Sequence, residues 1–72
     1  MDEEYKGYTI TPNSRELPNG LWLPVAELEI YYQGRVTTKP ELKAPASEAK
    51  KSRQDADAYA LAMARKWIDE HG

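Results

Sequence analysis

Two tripeptides, Pro18-Asn19-Gly20 and Tyr32-Gln33-Gly34, separate three segments in which apolar and polar residues alternate. Alternation with period two marks a half-buried strand. Glycine at the end of a short connection supplies the positive φ of a three-residue hairpin loop with a G1 bulge. Loop length then decides which side of each strand is buried, because a one-residue slip turns every side chain to the opposite side.

The middle segment is the longest. Trp22, Pro24, Ala26, Leu28, Ile30 and Tyr32 share one face, while Leu21, Leu23, Val25, Glu27, Glu29 and Tyr31 share the other. The two glutamates assign the second face to water and the first to the core. In the second hairpin, a loop of only Gln33-Gly34 would set Ile30 opposite Thr37 and bring Arg35 and Lys39 to the core face. A three-residue loop pairs Ile30 with Val36 and Leu28 with Thr38, and it sets Glu27 against Lys39 on the wet face. The three-residue loop is therefore expected. Applied to residues 18–20, the same rule pairs Ile10 with Leu28 and Tyr8 with Ile30. Pro12, Pro24 and Pro40 each remove a ladder donor, and a bulge or break is expected near Pro24.

The last element is a helix. Ser52-Arg53-Gln54-Asp55 resembles an N-terminal capping box with aspartate in place of glutamate. Ala56, Tyr59, Ala60, Met63, Ala64 and Trp67 then recur at helical spacing, flanked by Leu61 and Ile68. Tyr59, Met63 and Trp67 are expected against the sheet, with the alanines allowing close approach. The expectation is one α+β domain over residues 1–72. It is a three-stranded antiparallel meander in the order 1-2-3 (strands about 5–16, 21–32 and 35–42), a connection at 43–51, and a C-terminal helix at about 53–70 packed on one face.

Composition narrows the functional classes. The 72 residues contain no cysteine, which removes disulfides and thiolate metal sites. Net charge is −2, so the molecule as a whole does not attract a polyanion. Charge is nonetheless uneven, with three acids in residues 1–4 and five bases between Lys39 and Arg53. No apolar run reaches membrane-spanning length, and Met1-Asp2-Glu3-Glu4 is acidic where a secretion signal is basic. A cytoplasmic location is expected.

Tyr5-Lys6-Gly7-Tyr8-Thr9-Ile10, Asn19-Gly20 with Trp22, Ser52 with Asp55-Ala56, and Trp67-Ile68-Asp69 together resemble a group of small bacterial β-β-β-α proteins with no assigned activity. The resemblance covers most of the chain and rests on core and turn positions, so it implies a fold and not a function. The stretch from Lys43 to Lys51 is longer than the corresponding connection in that group. The order of elements is also similar to AP2-type and integrase N-terminal DNA-binding domains, whose outer sheet face enters the major groove; that similarity is one of topology alone.

Three site readings follow. For an enzyme, the candidates are His71 near the chain end and the Glu27/Glu29 pair. The first reads as a frayed terminus and the second as a solvated strand face. No nucleophile–base set, phosphate loop or ligand-spaced cluster accompanies them, so neither catalysis nor a cofactor is expected. For nucleic acid, Arg15, Arg35 and Lys39 fall on the outer face under the expected register, but Glu27 and Glu29 occupy its centre. For a protein partner, including a second copy of the chain, Leu21, Leu23 and Val25 cluster beside Leu17 on that face, with Tyr5 and Tyr31 towards its other end. The leading expectation is a non-catalytic interaction module acting through Leu21, Leu23, Val25 and Tyr31. A sheet-face nucleic-acid binder is the alternative.

Overall fold

The computed structural model describes residues 2–32 and 34–71, except for the side chains of residues 31, 32 and 36–40. Six strands precede one long helix: β1 (Glu3–Tyr5), β2 (Tyr8–Pro12), β3 (Arg15–Glu16), β4 (Trp22–Leu23), β5 (Val25–Tyr32), β6 (Arg35–Lys43) and α1 (Arg53–His71). They form a four-stranded antiparallel sheet in the order β1-β2-β5-β6 and a two-stranded arm, β3-β4. The α+β class and the single helix on one sheet face match expectation, whereas the sheet is not a three-stranded meander.

The first hairpin has the register read from its glycine. Tyr8 pairs with Ile30 and Ile10 with Leu28 in the main sheet, while Arg15 pairs with Leu23 in the arm. Leu17 N–H donates to Leu21 C=O (2.7 Å) and Gly20 N–H to Leu17 C=O (2.9 Å), closing a loop of Pro18, Asn19 and Gly20. Gly20 sits at φ 83°, where a Cβ is disfavoured. The ladder breaks at Ser14 and Pro24, and that break separates arm from sheet. Pro24 turns its C=O to the other side, where it accepts from Ala44 N–H (3.0 Å), so the N–H that proline lacks also faces away from Ser14.

β1 is the strand the alternation concealed. Residues 5–16 read as one strand, but Lys6 (φ 49°) and Gly7 (φ 84°) form a two-residue turn with positive φ at both positions. Lys6 enters left-handed backbone that costs an L-residue about 1–2 kcal/mol. The turn folds Glu3 opposite Ile10 and Tyr5 opposite Tyr8. Tyr5 therefore shares the helix side with Tyr8 instead of lying on the outer face, and β2 is an interior strand.

The second hairpin departs from the expected register. Tyr32 pairs with Arg35, Ile30 with Thr37 and Leu28 with Lys39, so two residues connect the strands. The extra residue lies further along β6. Between the pairs Leu28–Lys39 and Ala26–Leu42, β6 advances three positions against two on β5. The bulge falls at Pro40-Glu41, where proline breaks the ladder without losing a donor. The Glu27–Lys39 pairing is absent, and Leu42 returns to the helix side, packed on the core.

The connection is partly ordered as a 3-10 turn, Ala46–Glu48. Lys50 then exchanges two backbone hydrogen bonds with Trp22 (2.7 and 2.8 Å) and so flanks β4 on the side away from β3. Ser52 caps α1, its Oγ accepting from Asp55 N–H at 3.1 Å. The buried stripe of α1 is Ala56, Ala60, Ala64 and Ile68, set on Tyr8, Ile10, Ala26 and Leu28. Small side chains let the helix lie close to the sheet, which turns the larger residues to the flank. Trp67 is half-buried with its ring edge-on to Tyr8 at 6.3 Å, and Tyr59 lies under the Lys50 ammonium at 4.8 Å.

Candidate interaction surface

The apolar side chains expected to face outward divide into two groups at Val25. Leu17, Leu21 and Leu23 are half-buried on the arm, whereas Val25 is fully buried and offers no surface. What covers Val25 follows from the bulge. Glu41 accepts from Arg15 Nη2 at 2.9 Å and lies 3.5 Å from Lys43 Nζ. Arg15 belongs to β3 and Glu41 to β6, strands that flank the central chain on opposite sides. The ion pair must therefore pass over the residue between them, and the long side chains bring their methylenes with them. The side chain of Tyr31 lies outside the described residues.

Of the three bases expected to read nucleic acid, Arg15 and Arg35 do not converge. Arg15 is neutralised by Glu41. Arg35 is exposed beside Tyr32, at a register position on the helix side instead of the outer face. Leu23 and Tyr32, their respective partners, stand nine positions apart, on the order of 30 Å of strand. Lys39 pairs with Leu28 through the backbone, and its side chain is outside the described residues. Of the paired carboxylates, Glu27 accepts from Asn13 Nδ2 at 3.2 Å. His71 stacks on Trp67 at 4.7 Å with Nδ1 3.0 Å from Trp67 C=O, which makes it part of the helix end's packing.

A cluster invisible to sequence reasoning joins β1 to α1. Arg65 grips the Glu3 carboxylate through Nε and Nη2, and Asp69 accepts from Lys6 Nζ (2.6 Å) and Tyr5 Oη (2.9 Å). These partners lie 62 to 64 residues apart in sequence, which no local pattern reports. The Lys6 hydrogen bond, then that of Tyr5, holds the Asp69 carboxyl below its ordinary 3.8, and Arg65 holds Glu3 below 4.5. The hydrogen bond to Asp69 raises Tyr5 above 10.0 and Lys6 above 10.5.

The pH response of β1 docking has a definite sign. Depressed carboxyls contribute stability that is complete above 3.8 for Asp69 and 4.5 for Glu3 and is lost as pH falls through their folded values. The raised Tyr5 and Lys6 contribute below 10.0 and 10.5 and lose that contribution as pH climbs through their folded values. The amide shifts of Thr9 and Ile10, which face β1, should hold constant from about pH 5 to 9 and move only outside that window. Asp69 titrating at its ordinary value with those amides unmoved would show that the cluster does not form.

An open groove of about 570 Å³ runs between Pro12 and the first turns of α1, lined by Arg53, Gln54, Asp57, Ala58 and Leu61. Its charged groups are already engaged, Arg53 with Asp57 at 3.8 Å and over the Trp22 ring at 5.9 Å. Among the described residues no group of three or more histidine, aspartate or glutamate side chains is placed to hold a metal, and no helix is long and apolar enough to cross a membrane.

The molecule is thus a small α+β domain, one alanine-striped helix on a four-stranded antiparallel sheet with a projecting leucine-bearing arm. Over residues 1–72 the chain matches a family described as a domain of unknown function (DUF6566), and it belongs to that family. No curated protein and no solved structure matches it.

Proposed function

We propose that the domain is a non-catalytic protein-interaction module whose contact surface is the leucine face of the β3-β4 arm. One observation carries this reading: Leu17, Leu21 and Leu23 share one side of a two-stranded arm, and none of them joins the apolar cluster under α1. Leu17 and Leu21 are joined across the loop by a backbone hydrogen bond, and Leu23 follows two positions on, so the three side chains are contiguous. Large aliphatic groups gathered on a surface are a feature of interfaces more than of scattered exposure. Twofold pairing of two arms is the simplest assembly. The Arg15–Glu41–Lys43 ion group edges the patch and supplies a polar rim.

The test is Leu23→Asp. Because Leu23 is only half-buried, the substitution should leave the unfolding midpoint nearly unchanged while abolishing concentration-dependent sedimentation or partner capture. If Leu23→Asp unfolds the domain, the leucines are core and the reading fails. If duplex DNA binds with an affinity that falls as salt rises and follows Arg35, the nucleic-acid alternative takes its place.

A further inference from the structure

β1 is held at the edge of the main sheet largely by polar side-chain contacts to α1. No side chain of Glu3–Tyr5 is fully buried; Glu3 and Tyr5 are half-buried, and Glu4 is exposed. Beyond its backbone pairing with β2 and the packing of the Tyr5 ring on the core, the strand is anchored by Glu3 to Arg65 and by Tyr5 and Lys6 to Asp69. Its hinge is the two-residue turn in which Lys6 occupies left-handed backbone at φ 49°. A short hinge under strain, carrying an element fastened mostly by polar contacts, has the makings of strand exchange.

We propose that β1 is an exchangeable strand: it leaves its own sheet and takes the same place against β2 and α1 of a second copy of the chain. Opening the turn releases the Lys6 backbone and uncovers the edge of β2 between Tyr8 and Ile10, which needs a new partner. The chemistry of that edge selects the partner. An incoming strand must bring an acid to Arg65 together with a hydroxyl and an ammonium to Asp69. β1 of a second copy carries the acid and the hydroxyl at the right spacing by identity, and Lys6 follows directly behind them. The exchanged dimer keeps the β1–β2 pairing and the Glu3 and Tyr5 anchors of the closed form and loses the strained turn. Its surface is separate from the leucine arm.

A charge-swap mixture tests this. Glu3→Arg alone sets two cations together, and Arg65→Glu alone sets two acids together, in the closed chain and in each homodimer alike. Only the mixed exchanged dimer restores an opposite charge at both sites. The two variants differ in mass, so native mass spectrometry after joint unfolding and refolding resolves the species. The mixed dimer should exceed the homodimers by on the order of tenfold over the statistical ratio. A statistical mixture, as arm-to-arm pairing alone would give, or monomers only, would overturn the proposal. A second variant bears on the hinge. In Lys6→Pro, the proline–glycine pair favours a turn whose twist splays the strands. Dimer should then predominate at concentrations where the native chain is monomeric, and Lys6→Gly should shift the balance the other way. A Lys6→Pro chain that stays monomeric also counts against exchange.

Discussion

Leu28→Ala will lower the free energy of unfolding by about 2–5 kcal/mol, the range for removing a leucine from a packed interior. Leu28 is fully buried in the central strand, paired with Ile10 on one side and Lys39 on the other, in the cluster beneath Ala60 and Ala64. No neighbouring element can collapse into the space, because the helix already rests on its alanines. A domain of 72 residues has roughly 4–11 kcal/mol in total, so the variant should be largely unfolded in modest urea. Denaturation followed by tryptophan fluorescence and by circular dichroism reads the shift. A loss below about 1 kcal/mol would mean that the helix does not seat on this residue.

The second large effect runs against hydrophobicity. Ala60→Leu adds apolar surface and barely alters helix propensity, yet it should destabilise by about 1–3 kcal/mol. Ala60 has no exposed area and stands in the middle of the buried stripe, where a leucine would lift the helix off Ala26 and Leu28. Ala58 and Ala62 are exposed on the same helix, so leucine there should change the midpoint by no more than about 0.5 kcal/mol. Equal effects at positions 60 and 62 would remove the case for close approach.

The alanine stripe also departs from the contact line that helical periodicity suggests. Periodicity located α1 and Ser52 located its start, because both signals are local. Which side of a helix meets the sheet depends on how near it must come, and that is settled by residues on other strands. Large side chains look like the natural contact line, but at short separation only small ones fit. The half-buried Tyr59 and Met63 accordingly occupy the flank, while Trp67 meets the core from its edge, against Tyr8, as expected.

The hairpins divide in the same way. At Gly20 the loop and the parity of both strands agree on one register, and the ladder follows it on both sides of the Pro24 break. At Gly34 the sequence admits two solutions. One extra residue in the loop, or one extra residue at a bulge further on, brings Leu42 to the same face, so the leucine cannot tell them apart. The structure uses the bulge at Pro40, and Arg35 changes sides as a result. The Lys6-Gly7 turn lacks the asparagine or aspartate that announces such turns, and the alternation around it reads as uninterrupted strand. Of the surface residues, the leucines on the arm were readable from parity. Val25 was not, because its cover comes from an arginine and a glutamate 26 positions apart in the chain, brought together by that same bulge.

The gap at Ser14 and Pro24 divides one pair of chain segments into a long ladder under the helix and a short one beyond it. Asn13 N–H still reaches Val25 C=O (2.8 Å) at the base of the short one, and Lys50 clasps Trp22 on its free edge, so the finger carrying Leu21 and Leu23 is fastened along both sides. A partner of the arm would therefore meet leucines whose spacing is set before contact, and little ordering would remain to be done on binding.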